Sequence, residues 1–252
     1  MPMRLDLSGK VAVVTGGARG VGAGIVGALR EAGAVVETCG RSERTDSGGA
    51  DRYSQVDVRE HEHVTAWIDA VVERHGRLDI VVNNAGGAPF AEFAGASPRL
   101  HRKVLELNFL SAAYVAHAAF PALSAGDGGV VLNITSISAR RPSPGTAVYG
   151  AAKAALESLT TSLAVEWAPA VRVNAVSSGL VATPGATGHY GDDKQVARIA
   201  ATIPNGRFAV PADVGSACVL LASDLAGHIT GAVLNVDGGG EWPAFLQHAP
   251  RG

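Results

Sequence analysis

Short apolar runs rich in valine, isoleucine and leucine alternate along this chain with longer stretches in which apolar residues recur at helical spacing. The runs lie at 11–15, 34–39, 56–58, 78–82, 130–135, 170–176 and 232–236. The longest helical patterns lie at 100–119 and 149–167. Apolar runs of this length predict strands buried on both faces. Strands that alternate with helices predict a doubly wound, seven-stranded parallel sheet with helices on both faces.

The stretch 183–211 interrupts this alternation, because it is rich in glycine, proline and threonine and has only a weak helical pattern from Asp193 to Ala201. So long a connection favours a lid over a substrate site, and a disordered surface loop is the alternative. No repeat or linker divides the chain, so we expect a single α/β domain over residues 1–252.

Composition narrows the classes of function. The net charge is −2 without a basic block, which disfavours nucleic-acid binding. Cys39 and Cys218 each lie in an apolar stretch, which indicates buried free thiols in a reducing compartment. The first ten residues lack an apolar signal-peptide core, and no apolar run approaches the roughly 20 residues of a membrane span. We therefore expect a cytoplasmic protein without nucleic-acid or membrane partners.

The first apolar run leads into a glycine-rich turn with the spacing G-x-x-x-G-x-G, and a helical pattern follows. In that context, backbone N–H groups at the helix N-terminus bind a diphosphate. The pattern predicts a Rossmann fold, and a turn without a ligand is the alternative. The predicted dinucleotide contacts in this turn are Gly16, Arg19, Gly20, Val21 and Gly22.

The end of the second strand bears on which dinucleotide binds. In a Rossmann unit this position meets the adenosine ribose, where an acidic residue would accept the 2′-hydroxyl of NAD. Gly40 and Arg41 occupy it here, and Arg19 lies in the glycine turn. The two arginines either pair with a 2′-phosphate, which favours NADP(H) over NAD(H), or are solvated. Glu37 argues for NAD(H), but it lies inside the strand rather than at its end.

Other polar and small residues follow strands whose carboxyl ends share the ligand-binding edge of a parallel sheet. Asp57, beside Val58, either accepts a hydrogen bond from adenine or caps the helix that starts near Glu60. A small-residue turn follows the fourth strand and lets backbone approach a flat ligand closely. Its predicted cofactor contacts are Asn84, Ala85 and Gly86.

Three residues with complementary chemistry follow the fifth strand. Tyr149 and Lys153 are four residues apart at the start of a helical pattern, so their side chains share one face. An ammonium group lowers the pKa of a nearby phenol from about 10 and equips it for proton transfer near neutrality. Ser136 ends the fifth apolar run and is placed to hydrogen-bond the same reacting oxygen. Two surface residues on a helix are the alternative to a catalytic pair.

Asn108 is unusual, because it lies in the middle of an apolar helical pattern and asparagine is a poor residue for a helix interior. A buried polar role is therefore predicted. The residue either holds backbone by hydrogen bonds, or it holds a water in a proton path or bends the helix near the site.

Taken in order, these motifs resemble the short-chain dehydrogenase/reductase family, and more narrowly its bacterial members that include the 3-oxoacyl-carrier-protein reductases. The resemblance extends from about Leu5 to Gly240. The combination of T-G-x-x-x-G-x-G, Y-x-x-x-K and a serine thirteen residues before the tyrosine is specific.

The resemblance implies hydride transfer between NADP(H) and a ketone or secondary alcohol. Tyr149 would be the general acid or base, Lys153 would lower its pKa and hold the nicotinamide ribose, and Ser136 would polarise the carbonyl. Asn108 would hold a water that links Lys153 to solvent.

The resemblance also implies contacts of Val181 and Thr183 with the nicotinamide carboxamide. A homotetramer is implied as well, with the helices that carry Leu100 and Tyr149 at one interface. The chain departs from the family at Ser178, where a proline is usual.

Alternatives to an active reductase remain at this stage. One is a catalytically idle dinucleotide-binding protein, which the intact catalytic residues disfavour. Another is a different Rossmann enzyme, such as a methyltransferase, which only the glycine turn favours. Arg140 and Arg141 either meet an acidic substrate or carrier, or are solvated or at an interface. The tail from Glu241, with Trp242 and Phe245, is a candidate for contact with a neighbouring subunit. The sequence leaves the substrate open.

Overall fold

A seven-stranded parallel sheet lies at the centre of the protein, seen in a computed structural model that describes residues 5–44, 46–183 and 190–244. The order across the sheet is β3-β2-β1-β4-β5-β6-β7, so the chain changes direction between β1 and β4. This switch point opens a crevice at the carboxyl ends of the strands. The strands are β1 Val11–Thr15, β2 Val35–Gly40, β3 Arg52–Gln55, β4 Ile80–Asn83, β5 Gly129–Ser136, β6 Val171–Ser178 and β7 Val233–Val236.

Helices cover both faces, which confirms the predicted doubly wound Rossmann fold. Side chains of β1 alternate between two cores, with Val14 on the face of α1 and Val13 on the face of α2. One face carries α1 Gly20–Glu31 and α7 Pro211–Ala222, and the other carries α2 His61–His75, α4 Ser111–Ala125 and α5 Ala147–Glu166. Two shorter helices are α3 Pro98–Leu105, before α4, and α6 Asp193–Ala200, before α7.

The third strand corrects the sequence prediction, because it is Arg52–Gln55 rather than the apolar run at 56–58. It is an edge strand that pairs with β2 alone in the sheet order, and its residues are exposed or half-buried. An edge strand does not need an apolar sequence, so the search for apolar runs did not find this strand. Asp57 and Val58 consequently lie just beyond β3, at its carboxyl end.

The helix predicted at 100–119 is longer and interrupted. It begins with α3, continues through a π-helical turn at Glu106–Leu110 and ends with α4. Asn108 lies in the π turn and is buried. The helix is therefore distorted at the residue that the sequence singled out.

The predicted lid segment has α6 close to the expected helix, and residues 184–189 lie outside the described residues, as does Phe245. Cys39 and Cys218 are buried free thiols, as predicted. Among the described residues, no helix is long and apolar enough to cross a membrane.

Candidate active site

The glycine-rich turn has the backbone shape that a dinucleotide site needs. Gly16 and Gly20 have φ values of 65° and 55°, in the region that favours glycine. A Cβ on Gly22 would lie 2.3 Å from the carbonyl oxygen of Gly16. Helix α1 begins at Gly20, with the exposed Arg19 as its N-cap residue, so its first N–H groups open toward the crevice. This cradle fits a diphosphate, and Val21 lies in the first turn of the helix.

Two threonines for which the sequence analysis predicted no role in the site hold the turn in place. Thr38, buried in β2, accepts a hydrogen bond from the Gly17 N–H at 2.8 Å and donates one to the Val14 carbonyl at 2.6 Å. Thr15 accepts from the N–H groups of Asn84 and Ala85 at 3.0 and 2.9 Å. The turns after β1 and β4 are thus tied together. The sequence feature that could have indicated these two residues is a hydroxyl side chain in an apolar strand.

The charged side chains on which the cofactor prediction depends differ in exposure. Arg19 and Arg41 are exposed. Glu37 is 1 % exposed, and its Oε1 atom accepts hydrogen bonds from Arg74 and His75 at 2.6 and 2.7 Å. The carboxylate that argued for NAD(H) is therefore engaged with α2.

Asp57 does not cap α2, because Glu60 is the N-cap residue and makes no side-chain capping bond. Asp57 instead pairs with Arg59, whose Nε and Nη2 atoms both donate to its carboxylate. The hydrogen bond from Arg59 lowers the pKa of Asp57, against the effect of burial. Asp57 remains at the predicted edge, beside Val58.

The predicted catalytic residues come together where β5 meets α5. Ser136 ends β5, and its hydroxyl lowers the pKa of the nearby Tyr149 phenol. The Lys153 Nζ atom lies 5.7 Å from the centroid of the Tyr149 ring and donates to the Ile134 carbonyl at 2.9 Å. A hydroxyl, a phenol and an ammonium group therefore share one buried corner of the crevice.

Burial has the largest effect on the pKa values of Tyr149 and Lys153. It lowers the pKa of Lys153 to about 8 and raises the pKa of Tyr149, which the hydrogen bond from Ser136 opposes. The sequence analysis expected Lys153 to lower the pKa of the phenol. In the protein alone the shift has the opposite direction, because desolvation of the phenol outweighs the stabilisation of its anion.

Asn108 holds backbone with its side chain. Its Oδ1 atom accepts from the Gly87 N–H at 2.8 Å, and its Nδ2 atom donates to the carbonyls of Gly87 and Val104, both at 2.9 Å. A Cβ on Gly86 would lie 2.7 Å from Asn108 Oδ1 and 3.1 Å from Lys153 Nζ. Asn108 thus fixes a close approach of the β4 turn to the lysine.

The segment after β6 returns to the glycine turn. Val181 bridges to Ala209, and a methyl group of Thr183 would lie 3.6 Å from a Cβ on Gly20. Ser178, at the position of the family's usual proline, continues β6 opposite Ser136. Thr183 therefore lies beside the predicted diphosphate cradle, and Val181 precedes it by two residues.

A hydrogen-bond network behind the site was not predicted. Glu157, one helical turn beyond Lys153, accepts from the Thr135 hydroxyl at 2.9 Å and from Arg140 Nε at 3.0 Å. Arg140 also donates to Asn235 at 2.9 Å. The network joins α5 to β5 and β7, so Arg140 is a structural residue.

Comparison with known proteins agrees with this geometry. A family model described as Enoyl-(Acyl carrier protein) reductase matches residues 16–241. The 3alpha-hydroxysteroid dehydrogenase of Mediterraneibacter gnavus is 34% identical over 248 residues, covering 94% of this chain and 98% of its own. The 3-oxoacyl-[acyl-carrier-protein] reductase of Chlamydia pneumoniae is also 34% identical, over 247 residues, covering 94% and 99%.

A solved structure supports the same assignment. The ligand-free aldohexose dehydrogenase of Thermoplasma acidophilum superposes with a TM-score of 0.89 at 28% identity, covering 99% of each chain. The chain therefore belongs to the short-chain dehydrogenase/reductase family. Membership in this family of oxidoreductases implies a nicotinamide dinucleotide cofactor, and the glycine cradle fits one.

Proposed function

We propose that this protein is an active oxidoreductase that transfers a hydride between NADP(H) and a ketone or secondary alcohol. The observation that carries the proposal is the convergence of Ser136, Tyr149 and Lys153 at the carboxyl edge of the sheet, beside the glycine cradle. Relatives named as hydroxysteroid dehydrogenase and 3-oxoacyl reductase support the carbonyl and hydroxyl chemistry.

The proposed roles follow from proton positions. The cofactor supplies the hydride in reduction. Tyr149 donates its proton to the carbonyl oxygen, and Ser136 hydrogen-bonds the same oxygen. Lys153, with a pKa lowered to about 8, exchanges protons near neutrality and holds the ribose hydroxyls. Asn108 keeps the β4 turn against Lys153 and orders a water that leads to solvent.

The cofactor is proposed to lie along the strand ends. The turn after β1 would hold the diphosphate, Asp57 and Val58 would flank the adenine, and Asn84, Ala85 and Gly86 would approach the ribose. Val181 and Thr183 would contact the carboxamide.

The proton-donor role is tested by Tyr149→Phe, which keeps the ring and removes the hydroxyl. We expect turnover on a ketone with NADPH to fall about 10²- to 10⁴-fold, while NADPH affinity changes little. Tyr114→Phe, on α4, is the matched control. Full activity in Tyr149→Phe would refute the role. Binding of NADPH without turnover of any ketone by the wild type would favour the idle dinucleotide-binding alternative.

The preference for NADP(H) rests on two exposed arginines and on a Glu37 carboxylate that is engaged elsewhere. We expect Arg41→Gln to weaken NADPH binding about tenfold and to leave NADH binding nearly unchanged, because only NADPH carries the 2′-phosphate. Fluorescence titration measures both affinities. Arg52→Gln on the edge strand is the control, and equal losses for the two cofactors would contradict the assignment.

We also propose a homotetramer in which the outer faces of α4 and α5 meet a second copy. The support is a groove between these helices whose walls combine apolar side chains with two charged or titratable ones. It is lined by Ala113, Ala116, His117, Phe120, Pro121, Leu159, Leu163, Glu166 and Trp167. The proposed substrates are small molecules held under a lid at 183–211.

A further inference from the structure

The two elements that carry the candidate catalytic residues are tied together just behind the site. The Lys153 Nζ atom donates to the Ile134 carbonyl at 2.9 Å. The Thr135 hydroxyl donates to Glu157 Oε1 at 2.9 Å, so the next residue of β5 meets the next turn of α5. Lys153 and Glu157 are four residues apart and share one face of that helix. These two bonds fix the position of β5 along α5.

Ser136 directly follows these two residues of β5. Its hydroxyl lies near the Tyr149 phenol, which belongs to the first turn of α5. A Cβ on Gly150 would lie 2.7 Å from the Ser138 carbonyl oxygen, so the turn after β5 packs closely against the same helical turn. The distance between the serine and tyrosine hydroxyls therefore depends on the position of β5 along α5.

Glu157 also holds the segment on the other side of Ser136. A 3₁₀ turn, Ile137–Ala139, follows the serine, and Arg140 ends it. The Arg140 Nε atom donates to Glu157 Oε2 at 3.0 Å, and its Nη1 atom donates to Asn235 in β7 at 2.9 Å. The two oxygens of one carboxylate thus bind residues on both sides of the candidate catalytic serine.

These bonds lie where they are strong. The Glu157 side chain is 14% exposed, and Thr135 is 1% exposed. Hydrogen bonds to an ionised group are stronger than neutral ones, and a hydrogen bond is electrostatically stronger inside a protein than in water. Removal of the carboxylate would release Thr135 and Arg140 together.

We propose that Glu157 is a positioning residue that acts on the reaction through Ser136. Its carboxylate holds both sides of the serine against α5, so that the serine hydroxyl and the Tyr149 phenol reach the same carbonyl oxygen. A displacement of about 1 Å in such an arrangement can lower turnover about 10²-fold. This inference rests on the proposed function and adds a positioning residue to the same site.

The test measures the reduction of cyclohexanone with NADPH. Glu157→Ala removes both bonds, so we expect kcat to fall about tenfold while KM for NADPH changes by less than about twofold. Glu157→Gln should keep most of the activity, because its amide can donate to the Thr135 hydroxyl and accept from Arg140. Thr135→Val removes one of the two bonds and should lower kcat about threefold. The exposed Glu73→Gln, on α2, is the control and should change neither constant.

A double-mutant cycle distinguishes positioning of the serine from general damage to the fold. If Glu157 acts through the serine hydroxyl, Glu157→Ala should lower kcat by less than about twofold in a Ser136→Ala background. Thr135→Val takes its place in the cycle if Glu157→Ala does not fold. Equal losses in both backgrounds, or an unchanged kcat in the single variants, overturn the inference and leave the proposed function standing.

Crystal structures separate this inference from the proposed function. We expect the distance between Ser136 Oγ and Tyr149 Oη to be about 1 Å longer in Glu157→Ala or Thr135→Val than in the wild type. If the wild type does not reduce cyclohexanone, the proposed function fails for this ketone and the distance decides. The distance also decides if Ser136→Ala leaves no measurable turnover. A longer distance then supports the inference, and an unchanged one overturns it.

Discussion

Lys153 is the residue at which burial and chemistry conflict. Its side chain is 3% exposed, and burial lowers its pKa from 10.5 to about 8. Below pH 8 the folded protein holds a buried ammonium group, which costs stability. Between pH 8 and 10.5 the unfolded chain binds more protons than the folded one, so stability rises with pH in that window. Lys153 therefore lowers the stability of the folded protein near neutral pH, and its proposed role in catalysis explains why it is present.

Lys153→Met should stabilise the cofactor-free protein at pH 7 by about 2 kcal/mol, after the lost bond to the Ile134 carbonyl is subtracted. The gain should shrink as pH rises from 8 toward 10.5, because the wild-type lysine is neutral in both states only above that pH. Urea unfolding across this range measures it, with the exposed Lys194→Met as control. A gain in stability that does not depend on pH would contradict the explanation by burial of the ammonium group. The same variant should also lose turnover.

At the same scale, the sequence predicted residues whose chemistry depends on spacing along one helix or on one strand end. Tyr149 and Lys153 are close because a helix brings every fourth residue to one face. Thr38 was missed because its partner Gly17 is 21 residues away and on another element. Glu157 was missed for the same reason, since Thr135 reaches it across 22 residues.

At the scale of elements, contact between two glycines sets the position of α1. A Cβ on Gly24 would lie 2.4 Å from the backbone of Pro211, and one on Gly215 would lie 2.6 Å from the Gly24 carbonyl oxygen. Helices α1 and α7 therefore approach more closely than side chains would permit. Because α1 begins at the dinucleotide turn, this packing places the cradle.

Gly24→Ala should destabilise the protein by about 1–3 kcal/mol, since the added methyl overlaps backbone that cannot move aside cheaply. Gly27→Ala, one turn along the same helix, has nothing within 4 Å of its Cβ. It should stabilise by about 0.5–1 kcal/mol through helix propensity. Urea unfolding of the two variants tests the contact between α1 and α7. Stability changes of the same sign in both variants would refute it.

The buried strands and amphipathic helices follow from the sequence because their periodicity is local. The edge strand β3 does not follow from the sequence, because Arg-Tyr-Ser-Gln has no apolar pattern. This segment is a strand because it pairs with β2. The sequence analysis did not predict the π turn around Asn108 as such. It gave a bend of the helix only as one alternative. In the structure, the Asn108 side chain bonds Gly87 in the turn after β4, which is 21 residues away.

At the scale of the whole molecule, the groove between α4 and α5 predicts assembly. Leu159→Glu places a charge in this groove, and sedimentation velocity should then show loss of the tetramer, because a carboxylate is costly to bury without a partner. Val165→Glu, on the same helix, is the control, because Val165 is 82% exposed and does not line the groove. A wild-type monomer would contradict the proposed interface.

The sequence by itself predicted the class of fold, the meeting of polar residues at one edge of the sheet, and the candidate catalytic triplet Ser136, Tyr149 and Lys153. These depend on period, spacing and turn chemistry, which are properties of short segments. Only the tertiary structure decided that Glu37 turns to Arg74, that Arg140 is bonded to Glu157 and Asn235, and that burial governs the titration of Lys153. Those outcomes depend on which distant segments meet, and segments far apart in the chain leave no local pattern.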